Sequence, residues 1–196
     1  MIHVENIAHV LEHGITKITS PNANKNYVPV GDGSIINVRN RRLLDNGRVL
    51  GDYIPFYFWY RMPMLYVIQN GYNGVPVCEA KNIVYLVTSI QEIIVHNLDY
   101  LFSDGHAVMR ISSIYESNQI ANLASLLDFK AIQDPKWNDS DDLDKKRRKE
   151  AEFLVGKDIP LSAITHFVVV NDTVKRTLEE LGVPSNLILV RGDCFF

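Results

Sequence analysis

Apolar residues recur at regular spacing in short segments of the chain, and polar stretches rich in Asn, Gly, Pro and Asp separate these segments. Near the start, Ile7, Val10 and Leu11 follow one face of a helix, and Gly14 is suited to end it. Further along, the pattern predicts a short helix in QEIIVHN and a longer one over about 114–129.

A second amphipathic segment lies near the end of the chain. In TVKRTLEELG, Val174, Leu178 and Leu181 share one helix face, Asp172 can cap the start, and Gly182 can end the helix. This spacing predicts a surface helix that packs through one side.

Continuous apolar runs predict strands. The segments 82–90 (NIVYLVTSI), 151–155 (AEFLV) and 164–172 (ITHFVVVND) have the length and composition of buried strands, and NLILVRGDCFF predicts a closing strand. The aromatic segment 52–68 contains two prolines, so it cannot be one central strand. We interpret it as two extended pieces around a turn near 61–63.

Two long polar segments predict loops. Residues 19–34 are dense in Asn, Pro, Gly and Ser, and residues 133–149 form a polar stretch that becomes helical near its end. Strands and helices mix without βαβ regularity, and neither a GxGxxG nor a GxxxxGK[ST] motif occurs, which argues against Rossmann and P-loop folds. The pattern favours an α+β class, and 196 residues suit a single domain over 1–196.

Composition adds limits to this picture. The net charge is −3 and the pI is about 6.1, so nucleic-acid binding would need a local basic patch. The two cysteines, Cys78 and Cys194, lack metal-ligand spacing, which predicts no metal site and a reducing compartment. No membrane-spanning run and no signal-like start is apparent, so a cytoplasmic location is expected.

The segment 145–160 (KKRRKEAEFLVGKDIP) combines a run of five cations with a carboxylate before a buried strand. Glu152 at that strand start can point into a cleft and bind a substrate hydroxyl, or it can be a solvated partner of Lys149. The cations of 145–149 can contact phosphates, or they can form a solvated helix face that balances the acidic SDDLD just upstream.

Other candidates also keep two interpretations. Arg39, Arg41 and Arg42 suit a pyrophosphate but are also typical surface arginines. His106 follows an acidic turn and suits an orienting or acid–base role, or a structural one. Tyr57 lies in an aromatic run that can stack on a base or nicotinamide ring, or fill the core.

Several blocks of sequence, in order, resemble the DarT family of DNA ADP-ribosyltransferase toxins. They are IHVENI, DYIPFYF, RMPMLY, VTS, SDGHA and KKRRKEAEFLV, followed by a near-terminal aromatic pair. The resemblance implies the ADP-ribosyltransferase fold of the diphtheria-toxin and PARP type, with two packed, bent β-sheets, flanking helices and NAD⁺ in the cleft between the sheets. It also implies transfer of ADP-ribose from NAD⁺ to a base of single-stranded DNA, with thymidine expected, and a DarG-like macrodomain antitoxin as partner.

The resemblance assigns roles to individual residues. It implies Glu152 and Arg39 as catalytic residues, with NAD⁺ as substrate and no metal or membrane involved. The residues expected to contact NAD⁺ are His3 and Asn6 of HVEN, Arg39 and Tyr57. Those expected to contact nucleic acid are Arg61, His106, Lys145, Arg147 and Arg148.

Two alternatives remain open because a fold does not determine an acceptor. The first is an ADP-ribosyltransferase of the same fold that acts on RNA or protein. The second is a nucleic-acid-binding module of this fold without turnover.

Overall fold

The computed structural model describes all residues from 1 to 196 and contains eight strands and eight α-helices, joined by short 3₁₀ turns. The strands are β1 (Ile2–His3), β2 (Ile54–Tyr57), β3 (Ile83–Val87), β4 (Tyr100–Ser103), β5 (Ile114–Glu116), β6 (Glu152–Val155), β7 (His166–Val169) and β8 (Ile188–Val190). The helices are α1 (Ile7–His13), α2 (Gly33–Arg39), α3 (Pro63–Asn70), α4 (Ile90–Val95), α5 (Leu123–Leu126), α6 (Phe129–Gln133), α7 (Lys145–Lys149) and α8 (Asp172–Glu180). The α+β class is confirmed.

The strands form two four-stranded sheets, each in its own compact unit. The first unit comprises Met1–Asp32, Leu65–Leu98 and Lys157–Phe196, and the second comprises Gly33–Met64 and Asp99–Gly156. Each unit is therefore built from segments that are distant in sequence. The expectation of one domain over 1–196 stays a prediction.

In the first unit the strand order is β1-β3-β7-β8. The pairs β1–β3 and β3–β7 are antiparallel, whereas β7 and β8 are parallel and α8 connects them. This βαβ unit was not expected from the sequence, because a single crossover leaves no repeating pattern. Side chains of α1, β3, β7 and α8 form its core, including Ile7, Val84, Phe167 and Leu178.

The helices of this unit follow the sequence pattern closely. Gly14 ends α1 with a positive φ of 74°, and its N–H donates to the carbonyl of Val10. For α8, the capping side chain is Asn171 rather than Asp172, because the Asn171 side chain accepts the N–H of Val174. Leu181 is 42% exposed, since it lies beyond the last turn that packs on the sheet.

In the second unit the strand order is β2-β6-β4-β5, and all pairs are antiparallel. Strand β6 is central, and all four of its residues are buried. Because side chains alternate along a strand, Glu152 and Leu154 lie on one face and Phe153 and Val155 on the other. Leu154 packs there in a cluster with Leu44, Leu50, Tyr53, Leu101 and Ala107.

Two predicted elements differ from the structure. The second extended piece of the aromatic segment is α3, in which Pro63 occupies the first helical position, where its missing N–H is tolerated. The predicted helix over 114–129 is instead β5, a 3₁₀ turn and the short helix α5. Residues 114–116 pair with β4, and this tertiary contact outweighs their helical spacing.

None of the helices is both long enough and apolar enough to cross a membrane.

Candidate active site

Glu152 is the first residue of β6 and its side chain is only 1% exposed. Its face of the sheet also carries Tyr57, because the two residues are directly opposite in the β2–β6 pair. A carboxylate buried to this extent requires several donors, since an unpaired buried charge is costly. The structure supplies these donors.

Three groups donate hydrogen bonds to the Glu152 carboxylate. Nη1 of Arg39 lies 2.7 Å from Oε2. On the other oxygen, Oε1 accepts the N–H of Ala107 at 2.8 Å and lies 3.0 Å from Nδ1 of His106. Arg39, His106 and Glu152 thus form one buried polar cluster within the second unit.

The chain reaches this arrangement through a turn after β4. Ser103 at the end of β4 accepts the N–H of Glu152 at 3.1 Å and donates to the carbonyl of Gly105 at 2.6 Å. The N–H of His106 then donates to the carbonyl of Arg147 at 2.9 Å. Main-chain contacts on both sides therefore fix His106 and Ala107 against the glutamate.

Gly105 allows this turn to approach α7 closely. A Cβ at position 105 would lie 2.8 Å from the carbonyl oxygen of Arg147, with the Arg147 side chain closer still. The site therefore needs glycine at this position because of space rather than backbone conformation.

The ionisation of Glu152 follows from its neighbours. Burial by itself would raise the pKa, but the charge of Arg39, the hydrogen bond of His106 and the N–H of Ala107 hold the pKa of Glu152 below its ordinary value. The group is therefore a carboxylate at neutral pH and can only accept hydrogen bonds. Because it accepts from His106, the ring carries a hydrogen on Nδ1.

Arg39 ends α2, and its side chain is 11% exposed. Its Nη1 is bonded to Glu152, whereas its Nη2 is shielded from solvent and has no hydrogen-bond partner. Buried donors are rarely left unpaired in proteins. This nitrogen therefore lacks the acceptor that a buried donor normally has.

Tyr57 faces the same cluster. Burial first, and then the negative charges of Glu152 and Glu150, raise the pKa of the Tyr57 hydroxyl well above its ordinary value. The hydroxyl therefore stays protonated at neutral pH and can donate a hydrogen bond.

Comparison with known proteins identifies the family of this chain. The family model described as "ssDNA thymidine ADP-ribosyltransferase, DarT" matches residues 1–196. The chain belongs to the DarT family. A DNA ADP-ribosyl transferase of Thermus sp. (strain 2.9) is 34% identical over 179 residues, which cover 88% of this chain and 80% of that protein.

Solved structures agree with the family assignment. The structure of Thermus sp. 2.9 DarT in complex with ADP-ribosylated ssDNA matches 99% of this chain and 93% of that one, with a TM-score of 0.86 and 28% identity. The same protein in complex with NAD⁺ matches with a TM-score of 0.78, 28% identity and coverage of 99% and 94%. The ADP-ribosyltransferase fold and the activity class of a DNA ADP-ribosyltransferase are therefore shown for this DarT-family chain.

Another relative combines the transferase with a second enzyme activity. A "DNA ADP-ribosyl transferase-DNA ADP-ribosyl glycohydrolase fusion protein" of Thermosipho africanus is 27% identical over 217 aligned positions, covering 99% of this chain and 53% of that protein. In that relative, the transferase and the glycohydrolase are parts of one polypeptide.

Among the residues implied by the DarT resemblance, His3 and Asn6 belong to the first unit, whereas Glu152 belongs to the second. His3 accepts the N–H of Glu5, at 3.3 Å. Asn6 is buried, accepts the N–H of Val28 at 3.0 Å and donates to its carbonyl at 2.8 Å. Asn6 therefore fixes the loop before α2, and contact of either residue with NAD⁺ stays a prediction.

The cationic run is largely neutralised within the protein. Between residues 128 and 150 there are seven acidic and seven basic residues. The run residues implied to contact DNA form ion pairs: Lys145 with Asp134 and Asp139, Arg147 with Asp104 and Asp144, and Arg148 with Asp128, Asp142 and Asp144. Of the two interpretations of this run, the structure favours a helix face that balances nearby acids.

Two further predicted residues have defined positions. Arg61 has a positive φ of 50°, which is uncommon for a residue other than glycine, and lies in the turn before α3. His106, implied to contact nucleic acid, is hydrogen-bonded to Glu152 through Nδ1. Their contact with DNA stays a prediction.

Sequence reasoning missed three parts of the site. The Ala107 donor is a main-chain N–H, and the Ser103 contact depends on where β4 ends, so neither has a residue-type signal. Glu150 is buried two residues before Glu152, although it lies in a strongly charged segment.

The structure contains no group of three or more His, Cys, Asp or Glu side chains that could hold a metal ion.

The buried carboxyl of Glu150 predicts a pH effect on stability. Burial raises the pKa of Glu150, and the attraction of His106 and Lys146 does not cancel this rise. The ordinary pKa of a glutamate is 4.5. Because the folded pKa of Glu150 is raised, its contribution to stability is fully present at pH values below 4.5 and is lost as pH rises through the folded pKa. Glu150→Gln is therefore expected to raise Tm at pH 7 by about 2–4 °C, the shift that corresponds to about 1 kcal/mol in a chain of this size.

Thermal unfolding at pH 7 and at pH 4 checks this expectation. The gain in Tm should shrink toward zero at pH 4, where both states of the wild type are protonated at this position. Glu116→Gln removes an exposed carboxyl, at the end of β5, and serves as the control. An equal change of Tm at both pH values would contradict the assignment.

Proposed function

We propose that this chain transfers ADP-ribose from NAD⁺ to thymidine in single-stranded DNA and releases nicotinamide, with Glu152 as the central catalytic group. One observation carries this proposal. Glu152 is a buried carboxylate, held ionised by Arg39, His106 and the N–H of Ala107, in a chain that belongs to the DarT family.

The role of Glu152 follows from the charge that develops in the reaction. The bond between ribose C1′ and nicotinamide breaks, its electron pair goes to nicotinamide, and positive charge develops on the ribose. A carboxylate at the ribose interacts more strongly with this transition state than with NAD⁺ itself, and this difference accelerates the reaction. In the structure, Oε1 accepts two hydrogen bonds and Oε2 accepts one, so Oε2 keeps capacity for a ribose hydroxyl.

Arg39 then has two roles. Its Nη1 keeps Glu152 ionised, and its unpaired Nη2 is a donor for the acceptor base. The base of thymidine carries one N–H, at N3, flanked by two carbonyls. A guanidinium donor at one of these carbonyls stabilises the anion that forms as N3 loses its proton to solvent and bonds to C1′.

The remaining predicted residues are assigned around this centre. We assign His106 to orienting Glu152, and Tyr57, His3 and Asn6 to contact with NAD⁺. Arg61 remains our candidate for DNA contact. Lys145, Arg147 and Arg148 already pair with aspartates, so we expect Arg148→Gln to lower Tm and to leave the salt dependence of oligonucleotide binding nearly unchanged.

The fusion in Thermosipho africanus supports a partner. We propose that a DNA ADP-ribosyl glycohydrolase of the macrodomain type reverses the modification made by this chain, and that both act in the cytoplasm, where NAD⁺ and DNA occur together. No metal is assigned to the reaction.

Incubation with NAD⁺ and matched oligonucleotides tests the function. We expect nicotinamide release and a mass increase of one ADP-ribosyl group with a single-stranded DNA that contains thymidine. A thymidine-free DNA, the same sequence as a duplex, an RNA and a protein mixture serve as comparisons. Labelling of RNA or protein in place of DNA would replace the proposed acceptor, and absence of nicotinamide release in all samples would refute turnover.

A further inference from the structure

The turn after α2 carries a second arginine that the proposed reaction does not use. Nη1 of Arg42 is shielded from solvent and has no hydrogen-bond partner. The backbone of Arg42 is nevertheless held firmly, because its N–H donates to the carbonyl of Val38 at 3.0 Å and its carbonyl accepts the N–H of Leu50 at 2.8 Å. The structure thus places a guanidinium with one buried, unpaired nitrogen on a firmly held backbone.

A third arginine, Arg110, is near enough for its charge to act on Arg42. Burial first, then the positive charge of Arg110, and then that of Arg39, lower the pKa of Arg42, while Glu152 opposes this effect. Arg110 is exposed at the turn that also carries His106 and Ala107. Hydrogen bonds from Met109 N–H to the His106 carbonyl, at 2.9 Å, and from Ser112 N–H to the Met109 carbonyl, at 3.0 Å, hold this turn.

The positive charges of Arg39, Arg42 and Arg110 exceed the single negative charge of Glu152. Arg39 is paired with Glu152 at 2.7 Å, whereas the side chains of Arg42 and Arg110 form no ion pair. Two uncompensated guanidinium groups therefore lie beside the Glu152 cluster. Like charges repel, so such an arrangement is typical of a site where a bound anion supplies the missing negative charge.

We propose that Arg42 and Arg110 form a phosphate-binding subsite next to Glu152. Guanidinium groups donate pairs of parallel N–H bonds that match the oxygens of a phosphate. The inference rests on the proposed function for the source of the phosphate. Both substrates carry this chemistry, as the pyrophosphate of NAD⁺ and as the phosphodiester of DNA.

Inorganic pyrophosphate is a probe that does not depend on turnover. It should raise the Tm of the wild-type protein in a concentration-dependent way, because a ligand that binds the folded state stabilises it. Arg42→Gln and Arg110→Gln should each remove most of this increase. Arg41→Gln is the matched control, since Arg41 is an exposed neighbour on the same turn, and it should keep the full increase.

Steady-state kinetics of the same variants then identify the source. If the subsite holds the pyrophosphate of NAD⁺, KM for NAD⁺ should rise about tenfold or more while KM for the oligonucleotide is unchanged. If it holds a DNA phosphate, KM for the oligonucleotide should rise, and the slope of log K against log salt should fall by about 0.7 per arginine removed.

Two results would overturn the subsite. One is a wild-type Tm that does not respond to pyrophosphate, and the other is an equal response in wild type, Arg42→Gln and Arg110→Gln. Because Arg110 is exposed, its variant tests the subsite even if Arg42→Gln fails to fold. A pyrophosphate response in a protein that releases no nicotinamide would instead refute the proposed function and leave the subsite intact.

Discussion

Replacement of Glu152 by Gln is expected to reduce ADP-ribose transfer to single-stranded DNA by about 10³-fold, the effect of losing one preorganised electrostatic group in an active site. Glutamine has nearly the same shape, and its carbonyl oxygen can still accept from His106 and the N–H of Ala107, but its NH2 group then faces Nη1 of Arg39 and cannot accept from it. It lacks the negative charge that stabilises the ribose as nicotinamide leaves. The loss should therefore appear in kcat, with a much smaller change in KM for NAD⁺.

The control for this experiment is Glu116→Gln, the same substitution at an exposed position of the same sheet. It should retain wild-type kcat. Circular dichroism and Tm of both variants separate a loss of catalysis from a loss of folding. A Glu152→Gln protein that keeps more than about a tenth of wild-type kcat would remove Glu152 from its proposed role.

Replacement of Arg39 by Gln is expected to destabilise the protein by about 3–5 kcal/mol, because Glu152 is then left buried without its charged partner. Each kcal/mol corresponds to about 2–4 °C in Tm for a chain of this size. The double variant Arg39→Gln, Glu152→Gln should recover a large part of this loss, since two neutral amides can bond to each other. Both variants should be inactive.

The pH dependence of Arg39→Gln gives an independent check. In the wild type, the lowered pKa of Glu152 stabilises the protein above its ordinary value of 4.5, and this stabilisation is lost as pH falls through the folded pKa. Without Arg39, burial dominates and the pKa rises, so the variant should recover stability as pH falls from 7 toward 4.5. An equal Tm deficit at both pH values, or a double variant no more stable than Arg39→Gln, would show that the two side chains are not coupled.

The sequence was most informative where local pattern and tertiary structure agree. The apolar runs of β3, β6 and β7 are strands, and the amphipathic spacing of α1 and α8 is helical. Pattern alone left Glu152 and Arg39 with two interpretations each, and the family resemblance gave them roles. Their 2.7 Å contact joins residues 113 positions apart, which no spacing rule can detect.

The misses share a physical cause. Residues 114–116 are a strand because β4 offers them a partner, and 63–70 are a helix because Pro63 starts one well. The cationic run kept two interpretations because part of its pairing is set by the fold: besides nearby aspartates, Arg147 contacts Asp104, which is 43 residues away. Contact of this run with DNA stays a prediction.

The close approach of Gly105 to the main chain of Arg147 has a genetic consequence. Cells burdened by an enzyme that modifies their own DNA are under selection for variants that escape its toxicity. We expect codon 105, like codons 39 and 152, to be a target for such escape. Even alanine at position 105 would displace the backbone that holds His106, so we expect activity to be lost while Arg39, His106 and Glu152 are all still encoded.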